Sequence, residues 1–185
     1  PGFDEPGFKT PFEIHVTAPV DEVVITSTPE IASRAVSNGL VRRSYAVTPP
    51  LPTYLIAFAV GPLDVVEWQP VPPNEIREWP LPLRGVAAHG KGGKLTFALE
   101  NTARLVHALE RYFDHEMPYP KLDIIAVPDF AAGAMENVGA ITYREQLLLL
   151  NENDSVARKR AYASVHAHEL AHQWFGNLVT PKWWD

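Results

Sequence analysis

From Ser155 to Phe175 the chain carries neither glycine nor proline, so no residue in that stretch breaks a helix. Ala157, Ala161, Ala163, Ala167 and Ala171 favour helix. Asp154 offers a carboxylate to the free N–H groups at the start, and Gly176-Asn177 offers a stop. The pattern predicts one long helix or two abutting ones. On it lies His168-Glu169-Leu170-Ala171-His172. Residues four apart share a helix face. Two imidazoles at that spacing can hold one zinc ion, with the glutamate beside the first in reach of a water on the metal. At strand spacing the two rings would not converge. A five-residue match also arises by chance, and helical His pairs occur on surfaces and in cores, so on this motif alone both readings stand. His166 falls about 200° around the helix from His168 and is expected to be structural. His15, His89, His107 and His115 show no ligand-like spacing.

A second constellation lies upstream. Gly133-Ala134-Met135-Glu136-Asn137 sits between two strand-like runs, Leu122 to Val127 and Gly139 to Tyr143. Small residues leave the backbone open to another chain, and a peptide can add beside such an edge through main-chain hydrogen bonds. A carboxylate at Glu136 suits a cation. A peptide α-amine, with a pKa of about 7.7–8.0, is largely protonated at neutral pH. Read by itself, the segment is equally a glycine-containing connection with a solvated glutamate.

Together the two motifs resemble the M1 family of zinc aminopeptidases, the aminopeptidase N type. The resemblance runs along the whole chain. Pro1-Gly2-Phe3-Asp4-Glu5-Pro6 with Lys9 and Phe12 is similar to the opening segment of the family's N-terminal β domain. Leu51 to Phe58 resembles that domain's last strand. Asp129 to Glu145 resembles the exopeptidase segment, and His168 to Asp185 the zinc helix and its continuation. The resemblance implies zinc ligands at His168 and His172, a general base at Glu169, and an anchor for the substrate amine at Glu136. It implies that Gly133 and Ala134 line the peptide through their backbone. Ala134 differs from the glycine typical of one bifunctional branch of the family and favours a plain aminopeptidase. Val138 stands where many members carry Trp, which leaves the side-chain preference open. The family's third zinc ligand, a Glu about 19 residues after the second His, would fall roughly six positions beyond Asp185. A second amine-binding acid would precede Pro1, and a Tyr that stabilises the intermediate would lie downstream. The chain is therefore expected to be a central slice of a larger zinc aminopeptidase, inactive by itself. It would act in the parent on peptides with a free N-terminus, with one Zn2+ ion. Two rivals remain. One is a zinc endopeptidase on the same helix. The other is a non-catalytic peptide-binding or structural fragment.

Composition narrows the classes further. The chain of 185 residues is 46% hydrophobic and has a net charge of −6, a globular balance with no nucleic-acid footprint beyond the short Arg158 to Arg160 cluster. No apolar run approaches the roughly 18 residues of a membrane span. The N-terminus lacks signal-peptide features, which in a slice says nothing of the parent. The absence of cysteine excludes disulfides and thiolate zinc sites within the chain and leaves the compartment open.

The predicted fold class is α+β. Residues 1–62 read as the end of an antiparallel β domain, sandwich-like. Residues 63–185 read as the sheet-plus-helices first part of a thermolysin-like zinc metallopeptidase domain. Phe12, Ile14 and Val16 alternate with polar neighbours, Val23 to Thr26 follows, and Asn38-Gly39 predicts a hairpin between Ile31–Val36 and Leu40–Val47. Thr53 to Val60 suits a buried strand. Pro70 to Pro82 is expected to be an extended loop and Gly90 to Gly93 a flexible turn. Phe97 to Phe113 has helical spacing. Gln146 to Leu150 is a further candidate strand, and Trp174, Trp183 and Trp184 are expected to pack in the interior.

Overall fold

The computed structural model describes residues 2–184. The first half is β-rich: β1 (His15–Pro19), β2 (Val23–Thr26), β3 (Glu30–Ala35), β4 (Leu40–Tyr45) and β5 (Phe58–Gly61). Strands β1, β4 and β3 form one antiparallel sheet in that order, while β2 and β5 pair as a separate ribbon. The β3–β4 turn is the expected Asn38-Gly39. Both residues sit at positive φ, 57° and 73°, as a tight hairpin with right-handed strand twist requires.

The second half holds β6 (Leu63–Glu67), β7 (Leu83–Ala88), α1 (Thr96–Phe113), β8 (Leu122–Val127), β9 (Ala134–Met135), β10 (Ala140–Arg144), α2 (Glu145–Leu148) and α3 (Val156–His172). Its five-stranded sheet runs β6-β7-β8-β10-β9. The three central strands are parallel and the two edge strands antiparallel. Neighbouring residues of a strand serve opposite faces. Ile124 packs with Leu83, Leu99, Val106 and Leu170 beneath the helices. Ile125 packs with Val86, Ala140 and, from β2, Ile25. The mixed sheet thus lies between helices on one face and the β2–β5 ribbon on the other, an α+β arrangement.

Several local expectations fail for identifiable reasons. Thr53–Leu55 is a 3₁₀ turn rather than strand, and β5 begins only at Phe58, whose side chain is exposed. Gln146 to Leu150 is not a strand. Its first part is α2, and Leu148, Leu149 and Leu150 enter the core from that turn. Gly92–Leu95 is a 3₁₀ turn held by a hydrogen bond from Gly92 N–H to Asp64 (2.9 Å). The cap of α3 is Ser155, which accepts from Arg158 N–H at 3.3 Å. Asp154 instead accepts from Asn151 N–H (2.8 Å) and the Arg158 guanidinium (2.6 Å). Trp174 is buried as expected, but Trp183 and Trp184 are each half exposed.

Two buried charge clusters brace the second half. Arg77 and Glu110, both fully buried, pair at 2.7 Å, and Glu110 also accepts from Asn74 and from Met117 N–H. On the sheet, Asp123 accepts a two-pronged contact from Arg84 (2.8 Å each) and one from Lys121 (2.7 Å). Lys121 also donates to the Gly139 carbonyl at 2.7 Å.

Candidate active site

Helix α3 turns one face inward through Tyr162, His166, Glu169 and Leu170, the i, i+4, i+7, i+8 spacing of a helix stripe. His166 is structural, as its position relative to His168 implies. Its Nδ1 lies 2.8 Å from Tyr143 Oη and its Nε2 lies 3.0 Å from Thr102 Oγ1. Thr102 donates its own hydroxyl hydrogen to the Ala98 carbonyl (2.8 Å), so the neutral ring donates from Nε2 and accepts at Nδ1. Burial pushes its pKa down to about 3.

His168 and His172 project from the next face. Their Nε2 atoms lie 3.0 Å apart. His172 Nδ1 lies 3.0 Å from the Phe175 carbonyl. A carbonyl only accepts, so Nδ1 carries the hydrogen and Nε2 keeps its lone pair. This is the outer contact that fixes a ligating imidazole's tautomer and orientation. The turn after the helix makes it available: Gly176 has φ +137°, and a Cβ there would lie 2.8 Å from His172 Nδ1. Two imidazole nitrogens on one tetrahedral zinc stand about 3.3 Å apart, close to the observed spacing.

Glu169, one residue past His168, is almost entirely buried, and its Oε2 has no hydrogen-bond partner. Burial, and then the charge of Glu136, raise its pKa to about 7, against a smaller opposing effect of His172. A buried carboxylate oxygen left unpaired beside two converging imidazoles fits a cation and a reacting water. The donor set present therefore suits zinc, with two ligands from this chain. Among the described residues no group of three or more His, Cys, Asp or Glu gathers to complete the set.

Glu136 is brought to the same place from the sheet edge. It and His172 line one pocket of about 400 Å³, closed by Tyr54, Phe175, Val179 and Trp184. Tyr54 stacks edge-on with Trp184 at 5.0 Å. The segment before Glu136 forms β9, the outermost strand of the sheet. Arg144 N–H donates to the Gly133 carbonyl (2.9 Å), so Gly133 faces β10. Antiparallel pairing alternates, and the next residue, Ala134, directs its N–H and C=O toward the open edge. Arg144 pins the preceding loop by donating to the carbonyls of Phe130, Ala131 and Ala132. Val138 is buried in the core rather than lining the pocket.

Sequence reasoning passed over Tyr54, Gln173 and Asn177. Tyr54 comes from the β-rich half and carries no local signal. Gln173 and Asn177 sit in the stretch that follows the histidines, where their side chains bond backbone atoms far away in the chain.

A sequence model of the peptidase family M1 domain matches residues 97–185, and one of the peptidase M1 N-terminal domain matches residues 1–55. The chain belongs to peptidase family M1. Its M1 relatives include aminopeptidase M1-A of Oryza sativa subsp. japonica, 44% identical over all of this chain and 20% of its own length. Aminopeptidase M1 of Arabidopsis thaliana is 43% identical over the same shares. Endoplasmic reticulum aminopeptidase 2 of Bos taurus is 38% identical over all of this chain and 19% of its own length. The chain thus spans about a fifth of the M1 relatives it matches. No helix among the described residues is long and apolar enough to cross a membrane.

Proposed function

We propose that this chain supplies the first part of the active site of a zinc aminopeptidase, within a longer protein whose later residues complete the metal ligands. The division into a β unit over 1–62 and the start of a thermolysin-like catalytic unit over 63–185 belongs to the same reading. The observation that carries it is the convergence of Glu136 and His172 on one pocket beside the unpartnered Glu169.

His168 and His172 would hold the metal through their Nε2 atoms. Zinc, when bound, acts as a Lewis acid that activates water near neutral pH and polarises a carbonyl. Glu169 Oε2 takes the proton of the attacking water and later hands it to the departing nitrogen. Glu136 pairs with the substrate's ammonium group. Ala134 extends the sheet edge, and its outward N–H and C=O align the peptide backbone as an added strand. Gly133, expected to line the peptide as well, turns its carbonyl to Arg144 N–H on β10 and leaves that contact to Ala134.

An internal stretch of polypeptide has no ammonium, so Glu136 favours cleavage of the first residue over cleavage within a chain. Hydrolysis of a free-amine peptide and of its N-acetylated counterpart, measured on the zinc-loaded longer protein, tests this. A strong preference for the free amine that Glu136→Ala abolishes is the expected result. Equal hydrolysis of both would point to an endopeptidase, and no hydrolysis with zinc bound would point to a binding module.

A further inference from the structure

Gln173 and Asn177 are both buried, and both direct a side-chain amide at a single atom. Gln173 Nε2 donates to the Glu136 carbonyl at 3.1 Å, and Asn177 Nδ2 donates to the same oxygen at 2.8 Å. A carbonyl oxygen has two lone pairs, so the two carboxamides that follow α3 saturate it. Gln173 Oε1 also accepts from Gly139 N–H at 3.3 Å. The peptide so gripped lies just past β9, which ends at Met135, where strand pairing no longer holds it. At the other end the grip is short and stiff. Gln173 follows His172 directly, and Asn177 N–H bonds the His172 carbonyl at 2.9 Å.

The two carboxamides therefore tie the backbone of Glu136 to the backbone of His172 with little slack. We propose that Gln173 and Asn177 are positioning residues that fix the span between the amine-binding carboxylate and the metal-binding imidazoles. They thereby set which peptide bond, counted from the free amine, meets the reacting water. This rests on the reading of Glu136 as the amine anchor. The effect is sensitive because misplacement of a reacting group by about 1 Å can cost roughly 100-fold in rate. Neither residue touches the substrate. Each acts through the carbonyl of Glu136.

The test uses the zinc-loaded longer protein carrying Gln173→Met, which keeps side-chain length and removes both hydrogen bonds, and separately Asn177→Ala. Zinc content, thermal midpoint, and kcat and KM on a free-amine peptide and its N-acetylated counterpart are measured. Expected is unchanged zinc with a fall of about three- to tenfold in the free-to-acetylated ratio of kcat/KM for each variant, carried mainly by kcat for the free amine. A purely structural role would lower the thermal midpoint, or both activities together, and leave the ratio alone. That result overturns the proposal. If Gln173→Met does not fold, the ratio for Asn177→Ala decides. A wild-type protein with no preference for the free amine would overturn the anchor reading and this inference with it. An intact wild-type preference with an unchanged ratio in the variants overturns this inference alone.

Discussion

A Cβ added at Gly139 would lie 2.6 Å from the carbonyl oxygen of Ser27. The turn after β2 thus presses directly on the turn that enters β10. Gly139 also holds φ +61°, in the left-handed region. Gly139→Ala therefore brings backbone strain of about 1–3 kcal/mol and a steric clash on top of it. We expect a loss of stability of at least about 2 kcal/mol, read as a lower midpoint in urea unfolding. A variant as stable as the parent would show that the two turns move apart freely.

The Arg77–Glu110 pair gives a second expectation. Both side chains are fully buried, so removing one partner strands the other charge. Arg77→Met should cost about 3–5 kcal/mol. Adding Glu110→Leu to it should cost less than the sum of the two single changes, since no charge is then left unpaired. A double-mutant cycle by urea unfolding measures the difference.

Alkaline pH gives a third. Burial, followed by the charge of Glu30, raises the Tyr45 pKa to about 12, with Arg43 and Arg84 opposing. The folded pKa lies above the unfolded value of about 10, so the unfolded chain loses its proton first. The stability that this creates is fully present below pH 10 and is lost as pH rises from about 10 to about 12. Tyr45→Phe should flatten the decline of the urea midpoint over that window. An unchanged slope would mean that other groups, such as the buried Tyr143, account for all of it.

Metal and base should separate by mutation in the longer protein. Glu169 is not placed as a ligand, so Glu169→Gln should retain zinc while hydrolysis falls about 100- to 10,000-fold. His172→Phe should lose the metal itself, as should treatment with a strong chelator, and zinc re-addition should restore only the chelated wild type. Elemental analysis beside rate measurement reads both. Zinc loss in Glu169→Gln would reassign the glutamate.

Much of this architecture is written in local pattern. Helices α1 and α3 follow apolar spacing and the absence of breakers, and Asn38-Gly39 announces its hairpin because few residue pairs accept two positive φ angles. The imidazole pair is legible because helical geometry alone makes it converge. Strands β6 and β7 pass unread, since prolines crowd the segment between them and β7 contains Arg84 and Gly85. Leu148 to Leu150 looks like strand by composition, yet reaches the core from a helical turn. The clamp on Glu136 has no sequence signature. Its acceptor is a backbone carbonyl 37 residues from Gln173 and 41 from Asn177, and any residue has such a carbonyl.

Lys9 donates to the carbonyls of Asn177 and Leu178, at 2.9 and 3.0 Å. That contact closes a loop of 168 residues, so a strand-poor stretch near the start of the chain buttresses the turn that follows α3. On the proposed function, the β-rich half would brace the catalytic site rather than merely precede it. A nick or an inserted tag near residue 9 should then loosen the carboxamide clamp from behind and, on that same reading, blur which peptide bond is cut, although every reactive group remained in place.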